Sequence, residues 1–189
     1  VLFERQYNID GAITVNGPGA GVDESGFDTG AGLGTVSITV SGAGAHFVGF
    51  FVDHEVDQEA NTFFNEIGGS SGGPGPGQSW EVDEPGWEFG DIVTNLEASS
   101  LDNSIGTLDP DDVSMALGWD FSLSGAQFAE IAISLSTTEP AGFYLSHNDP
   151  NSDVTIYMSG ALDVIPEPST SLLSLLAGGF LLVFRRRRD

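Results

Sequence analysis

The sequence predicts an all-β fold: a β-sandwich or jelly-roll of antiparallel strands, followed by one short C-terminal helix of transmembrane type. Three observations carry this. Apolar residues recur on a two-residue beat through most of the chain. Breaks rich in Gly, Pro, Asn and Asp separate those runs at short intervals. One internal stretch carries helical spacing. Short strands between turns, with little helix, belong to two-layer all-β architectures.

The elements follow in chain order. "LGTVSITV" sets Leu33, Val36, Ile38 and Val40 against Thr35, Ser37 and Thr39, a strand with one buried face. "AHFVGFFVD" is apolar on both faces and predicts a central strand covered from both sides. "GGSSGGPGPGQ" at 68–78 is low in complexity and predicts a flexible exposed loop. "FGDIVTNLEASSLD" spaces Ile92, Leu96 and Ser99 as a helix does, with Asp91 as N-cap; a strand and loop is the other reading. "SMALGWDFSL" puts Met115, Leu117, Trp119, Phe121 and Leu123 on one face. "AEIAISLS" alternates Ile131, Ile133 and Leu135 with small residues. The two runs flank "SGAQ" and predict a hairpin. "GFYLSHND" and "DVTIYMSGAL" complete the strands, and turns fall at 41–45, 137–142 and 148–152. No internal repeat is visible.

Composition divides the 189 residues into two parts. Residues 1–164 form a Gly-rich acidic domain, and residues 165–189 form a tail. There is no Lys, and Arg5 is the one basic residue before Arg185. Of the 28 acids, two (Glu167 and Asp189) follow Ile165, so residues 1–165 hold 26 acids against one Arg, a formal charge of −25. Nucleic acid and anionic lipid headgroups repel such a body, because phosphates are bound by Lys and Arg. Scattered carboxylates of this kind serve solubility; cationic partners and divalent ions are the other readings. With no Cys, disulfides and thiolate chemistry are excluded.

The tail reads "IPEPSTSLLSLLAGGFLLVFRRRRD". Two prolines make residues 165–170 a hinge. An apolar helix over 169–184 follows, with a usable stretch of about 14 to 16 residues. Its length is roughly 21 to 24 Å, at about 1.5 Å per residue, against a hydrocarbon core of about 30 Å. Arg185, Arg186, Arg187 and Arg188 would stay cytoplasmic, which places the acidic body outside.

A Pro-Glu-Pro triplet, an apolar run and a terminal Arg cluster at the very C-terminus together resemble the PEP-CTERM sorting signal of Gram-negative bacteria. The resemblance covers about 24 residues. It implies export, transient retention in the inner membrane by the tail, and cleavage by an integral-membrane exosortase. The protein would then pass to the cell surface or an exopolysaccharide-rich biofilm matrix. By the same resemblance Pro166, Glu167 and Pro168 are recognition residues, and Arg185 to Arg188 are the stop-transfer cluster. The sequence opens at Val1 with no apolar leader, so export carries the expectation of a processed or trimmed start. The body resembles a recurrent β domain that precedes such tails, through "FVDHEVDQEANTFFNE", "GQSWEVDEPGW", "DDVSMALGWDFSL" and "GFYLSHNDPNSD". That second resemblance implies a location and no chemistry.

Three polar groupings are candidates for chemistry. Asp53, His54, Glu55, Asp57, Glu59, Asn61 and Glu66 have the oxygen and imidazole donors that suit Ca2+. Their spacing fits no EF-hand loop, and the expectation is a solvated acidic edge. Asp109, Asp111 and Asp112, with Asp149 and Asp153, predict turns. Glu81, Glu84 and Glu88 lie near Trp80 and Trp87, a carbohydrate-facing pattern, although packing of both rings into the core is the expected outcome. His46, His54 and His147 are far apart, without zinc-ligand spacing. No nucleophile elbow or phosphate loop is present. No catalytic residue, cofactor site or metal ligand set is therefore assigned. The leading expectation is a non-catalytic envelope or matrix protein. A carbohydrate- or calcium-binding matrix module is the alternative, and a glycan-active hydrolase the next.

Overall fold

The computed structural model describes residues 1–56, 62–86, 89–106 and 110–167. Asp57, Glu59, Asn61, Trp87, Glu88, Asp109, Pro168, the apolar run and Arg185 to Arg188 lie outside the described residues.

The strands are β1 (Leu2–Ile9), β2 (Ala12–Val15), β3 (Val22–Asp28), β4 (Leu33–Ser41), β5 (Gly44–His54), β6 (Ile67–Ser71), β7 (Gln78–Asp83), β8 (Ser104–Ile105), β9 (Ser114–Leu123), β10 (Gln127–Ser136), β11 (Tyr144–Asn148) and β12 (Thr155–Pro166). A short helix, α1 (Ile92–Glu97), lies between β7 and β8. One sheet has the order β2-β1-β5-β9-β7-β8 and the other β3-β4-β10-β12-β11-β6. All ladders are antiparallel except β7 with β8. The chain is thus mostly β, with two sheets facing each other as in a sandwich.

Alternation along each strand builds the shared core. Val36, Ile38, Ile131, Ile133 and Met158 from one sheet meet Phe50, Val52, Leu117 and Trp119 from the other. Burying each such side chain stabilises by about 1.5–3 kcal/mol. The strand β5 lies between β1 and β9 and is buried from Phe47 to His54, as a run apolar on both faces requires. Its outer face is covered by α1: Phe51 and Ala116 pack with Ile92, Leu96 and Leu101 in a second cluster. Close approach of α1 depends on Gly49, where a Cβ would stand 2.7 Å from Leu96 Cδ1. Asp91 occupies the N-cap position of α1, but its side chain makes no capping hydrogen bond.

Three sequence expectations need correction. Strands β9 and β10 are not a hairpin: β9 pairs with β5 and β7, and β10 with β4 and β12. The short "SGA" link carries the chain from one sheet to the other, because each strand has one apolar face to bury against the opposite layer. The Gly-rich stretch is loop only in part, since Ile67–Ser71 forms β6 at a sheet edge against β11. Pairing needs only backbone groups, which glycine supplies. The start of the stretch expected as a hinge, 165–170, is strand instead: β12 continues through Pro166, paired with Gln127. Among the described residues only β10 flanks this end of β12, since β11 pairs with Thr155 to Met158. A proline without an N–H is tolerated on such an open side, and Glu167 N then donates to Ala126 O at 2.8 Å. The first 28 residues, which carry no clean alternation, form three further strands.

Candidate functional site

The acidic stretch after Phe51 also departs from expectation: its described acids and His54 are not a solvated edge. Asp53 is 1% exposed, His54 0%, Glu55 7% and Glu66 0%. Alternation explains the placement. Asp53 continues the face of Phe51, while His54 continues the inward face of Val52.

Glu66 organises this end of the sheet. Its backbone bridges that of Asp111, with Glu66 N donating to Asp111 O at 2.9 Å and Asp111 N to Glu66 O at 3.0 Å. Its carboxylate accepts from Val56 N and from Val113 N, each at 3.2 Å. Val56 follows Glu55 and Val113 follows Asp112, so one side chain clamps both segments together. The result is a group in which Asp53, Glu55 and Asp112 each bring an oxygen within 4.8 Å of the others. Asp53 Oδ1, Glu55 Oε2 and Asp112 Oδ1 are buried without hydrogen-bond partners among the described residues.

The electrostatics follow from that crowding. Burial, then the Asp112 and Glu55 charges, push the Asp53 carboxyl up to about 8. Burial, then Glu55 and Glu66, push Asp112 up to about 7. Glu55 is raised by burial and by Glu66. Among the described residues no Lys or Arg side chain relieves them. Arg5, the one cation before Arg185, is committed to Glu24 across the sandwich, with Nε–Oε1 at 2.6 Å and a second bond from the guanidinium to Oε2 at 3.0 Å. Tyr7 OH also donates to Glu24 Oε1 at 2.6 Å.

Two histidines that are distant in sequence meet beside this group. The His54 and His147 rings are 6.4 Å apart, which corrects the expectation of isolated histidines. His54 Nε2 donates to Gly32 O at 2.9 Å, and burial holds the ring neutral, with its pKa pushed down to about 4. Gly32 is required here: its φ is +69°, and a Cβ would meet His54 Nε2. His147 Nε2 stands 2.8 Å from Glu66 Oε2, an approach off the axis of a hydrogen bond.

A second acidic group differs in kind. Glu81, Asp91 and Asp102 converge within 4.8 Å, but Glu81 is satisfied: both oxygens accept from Asn95 Nδ2, at 3.0 and 3.2 Å, and Oε2 accepts from Asp102 N at 3.0 Å. Burial, with smaller contributions from Asp102 and Asp91, still lifts Glu81 to about 7.

The other sequence candidates are divided by the fold. Asp149 is buried and accepts from Asn151 N at 2.7 Å, as a turn former does; Asp153 is exposed. Trp80 packs against the inter-sheet core, with Phe143 at 5.9 Å, while its neighbour Glu81 faces α1 on the opposite side. That ring and that acid therefore do not share a groove. A cleft of about 700 Å3 beside β12 is lined by Gln78, Trp119, Phe143 and Leu162 and by no titratable side chain. His46 pairs with Asp10 at 2.8 Å near the start of β5. No described helix is long and apolar enough to cross a membrane. In comparison with known proteins, the chain matches no family model, no characterised protein and no solved structure.

Proposed function

We propose that this chain is an exported cell-envelope or extracellular-matrix protein, sorted and cleaved through its C-terminal tail, with no catalytic activity of its own. The observation that carries the reading is the tail itself. Pro166-Glu167-Pro168, an apolar run and Arg185 to Arg188 stand in that order after a body of opposite charge. Positive charge next to an apolar segment stays on the cytoplasmic side, so the acidic sandwich is the part delivered outside. The tail's partners are the inner membrane and an exosortase, and the body's setting is the cell surface or an exopolysaccharide matrix. Docking of Glu167 N on Ala126 O is consistent with this arrangement. It ties the start of the motif to the sandwich and leaves a short span of sequence before the apolar run.

The finer fold reading is a β-sandwich rather than a jelly-roll, supported by neighbours in sequence that pair within one sheet: β1 with β2, β3 with β4, β11 with β12. A second functional reading, a calcium-binding matrix module, is favoured by the buried carboxylates of Asp53, Glu55 and Asp112. The sorting proposal is tested in a host that carries an exosortase. Glu167→Ala, or deletion of Arg185 to Arg188, is expected to block release and leave the protein in the wrong fraction. Unchanged release and location in both variants would sink the proposal.

A further inference from the structure

The geometry points to a Ca2+ site at the end of β5, with Asp53, Glu55 and Asp112 as ligands and Glu66 as the positioning residue. It stands on the cluster alone and is independent of the sorting tail.

Two separate observations meet here. The first is convergence: three carboxylates from two distant segments bring oxygens within 4.8 Å of each other. Two oxygens bound to one Ca2+, each about 2.4 Å from the ion, are at most about 4.8 Å apart. The second is vacancy of hydrogen bonding. Asp53 and Glu55, 1% and 7% exposed, each keep a buried oxygen without a donor, and so does Asp112. Buried carboxylate oxygens are nearly always paired, and a set of three without donors calls for an external cation. The neighbouring Glu81 group shows the contrast, since its buried carboxylate is met by Asn95 and by Asp102 N.

The chemistry selects the ion. All three donors are hard oxygens, which suits Ca2+ or Mg2+ and not soft metals. Neither nearby imidazole is part of the converging group: His54 Nε2 donates to Gly32 O, and His147 Nε2 stands 2.8 Å from Glu66 Oε2. Mg2+ demands near-ideal octahedral geometry and keeps several waters, whereas Ca2+ accepts irregular carboxylate sets. Carboxylates held by a strand end and a loop fit Ca2+. Glu66 keeps the two ligand segments in register through Val56 N and Val113 N. The ion would thereby staple β5 to the approach to β9.

Isothermal titration of CaCl2 into the full chain, stripped with EDTA and held in a mild nonionic detergent, tests the site. The expected result is one saturable site with Kd at or below about 1 mM, the range of extracellular calcium modules. Asp53→Asn and Glu55→Gln should each weaken binding at least about tenfold. Asp91→Asn, in the other acidic group, should leave it unchanged. Far-UV circular dichroism confirms that each variant is folded, and the isosteric changes at Asp53 and Glu55 keep the volume. Absence of saturable heat, or equal binding by wild type and both ligand variants, overturns the site. Tighter binding of Mg2+ than of Ca2+ overturns the choice of ion.

Discussion

Glu24 and Asp53 are both largely withdrawn from water in a body with a single cation, and they are treated in opposite ways. Glu24 receives the Arg5 guanidinium on both oxygens and the Tyr7 hydroxyl. The Arg5 hydrogen bonds hold its carboxyl below the usual range, against the opposing effect of burial. Asp53 faces Asp112, Glu55 and Glu66 instead, and its carboxyl rises to about 8. Burial opposes ionisation in both places; what decides the sign is the partner. A body with one arginine before Arg185 compensates one buried carboxylate by itself, and the proposed Ca2+ would compensate the other group.

Removing that one arginine should have the largest effect. Arg5→Ala leaves Glu24 and Tyr7 around an uncompensated charge. The expected loss is about 3–5 kcal/mol, as for other broken buried pairs, measured by urea unfolding. Breaking the frame of the second site comes next. Glu66→Ala strips acceptors from Val56 N and Val113 N. Each buried orphan costs about 1–3 kcal/mol, and calcium binding should be lost with it.

The pH dependence of the two regions should run in opposite directions. Asp53 and Asp112 are raised in the folded protein, from an ordinary 3.8 to about 8 and about 7. The folded state therefore binds more protons than the unfolded chain across that window. Without metal, this region's penalty is absent below about pH 4 and grows as pH rises toward 8. Glu24 is lowered, so its contribution is present above 4.5 and is lost as pH falls through its folded value. Asp53→Asn should flatten the high-pH decline and leave the acid limb in place, as read from melting temperature between pH 4 and 8.5. The smallest change is expected at Glu81. Glu81→Gln keeps an acceptor for Asp102 N, and should cost no more than about 1.5 kcal/mol, without effect on calcium.

Much of the strand pattern was legible, and the reasons are local. Alternation in Val36, Ile38 and Val40, or in Ile131, Ile133 and Leu135, reports one buried face of a strand without reference to any partner. Strand β1 hid because Arg5, Gln6 and Asn8 are buried polar residues whose partners, Glu24, Glu97 and Leu96 O, lie far along the chain. A local signal did exist for the β1–β2 hairpin. Asp10-Gly11 has positive φ at both residues, 53° and 83°, the demand of a two-residue type I′ turn.

The site was half legible. Asp53, Glu55, Glu66 and Asp112 all stand out as acids. Nothing in their spacing joins Glu55 to Asp112, because the link is the backbone bridge between Glu66 and Asp111. Burial was hidden for the same reason, since it follows from sheet pairing and not from the residues' own polarity. His147 looked isolated until β11 brought it to His54.

The comparison between a carboxylate with its own cation and three without one rests on a single thermal measurement. Unfolding of the EDTA-stripped full chain is followed at pH 8, with and without 100-fold Kd of Ca2+. Binding only the folded state at that excess adds about 2.7 kcal/mol, or roughly 5–10 °C for a domain of this size. The account predicts that rise in the wild-type protein and in Glu81→Gln, and its absence in Asp53→Asn. An unchanged melting temperature in the wild-type protein, or an equal rise in Asp53→Asn, would contradict it.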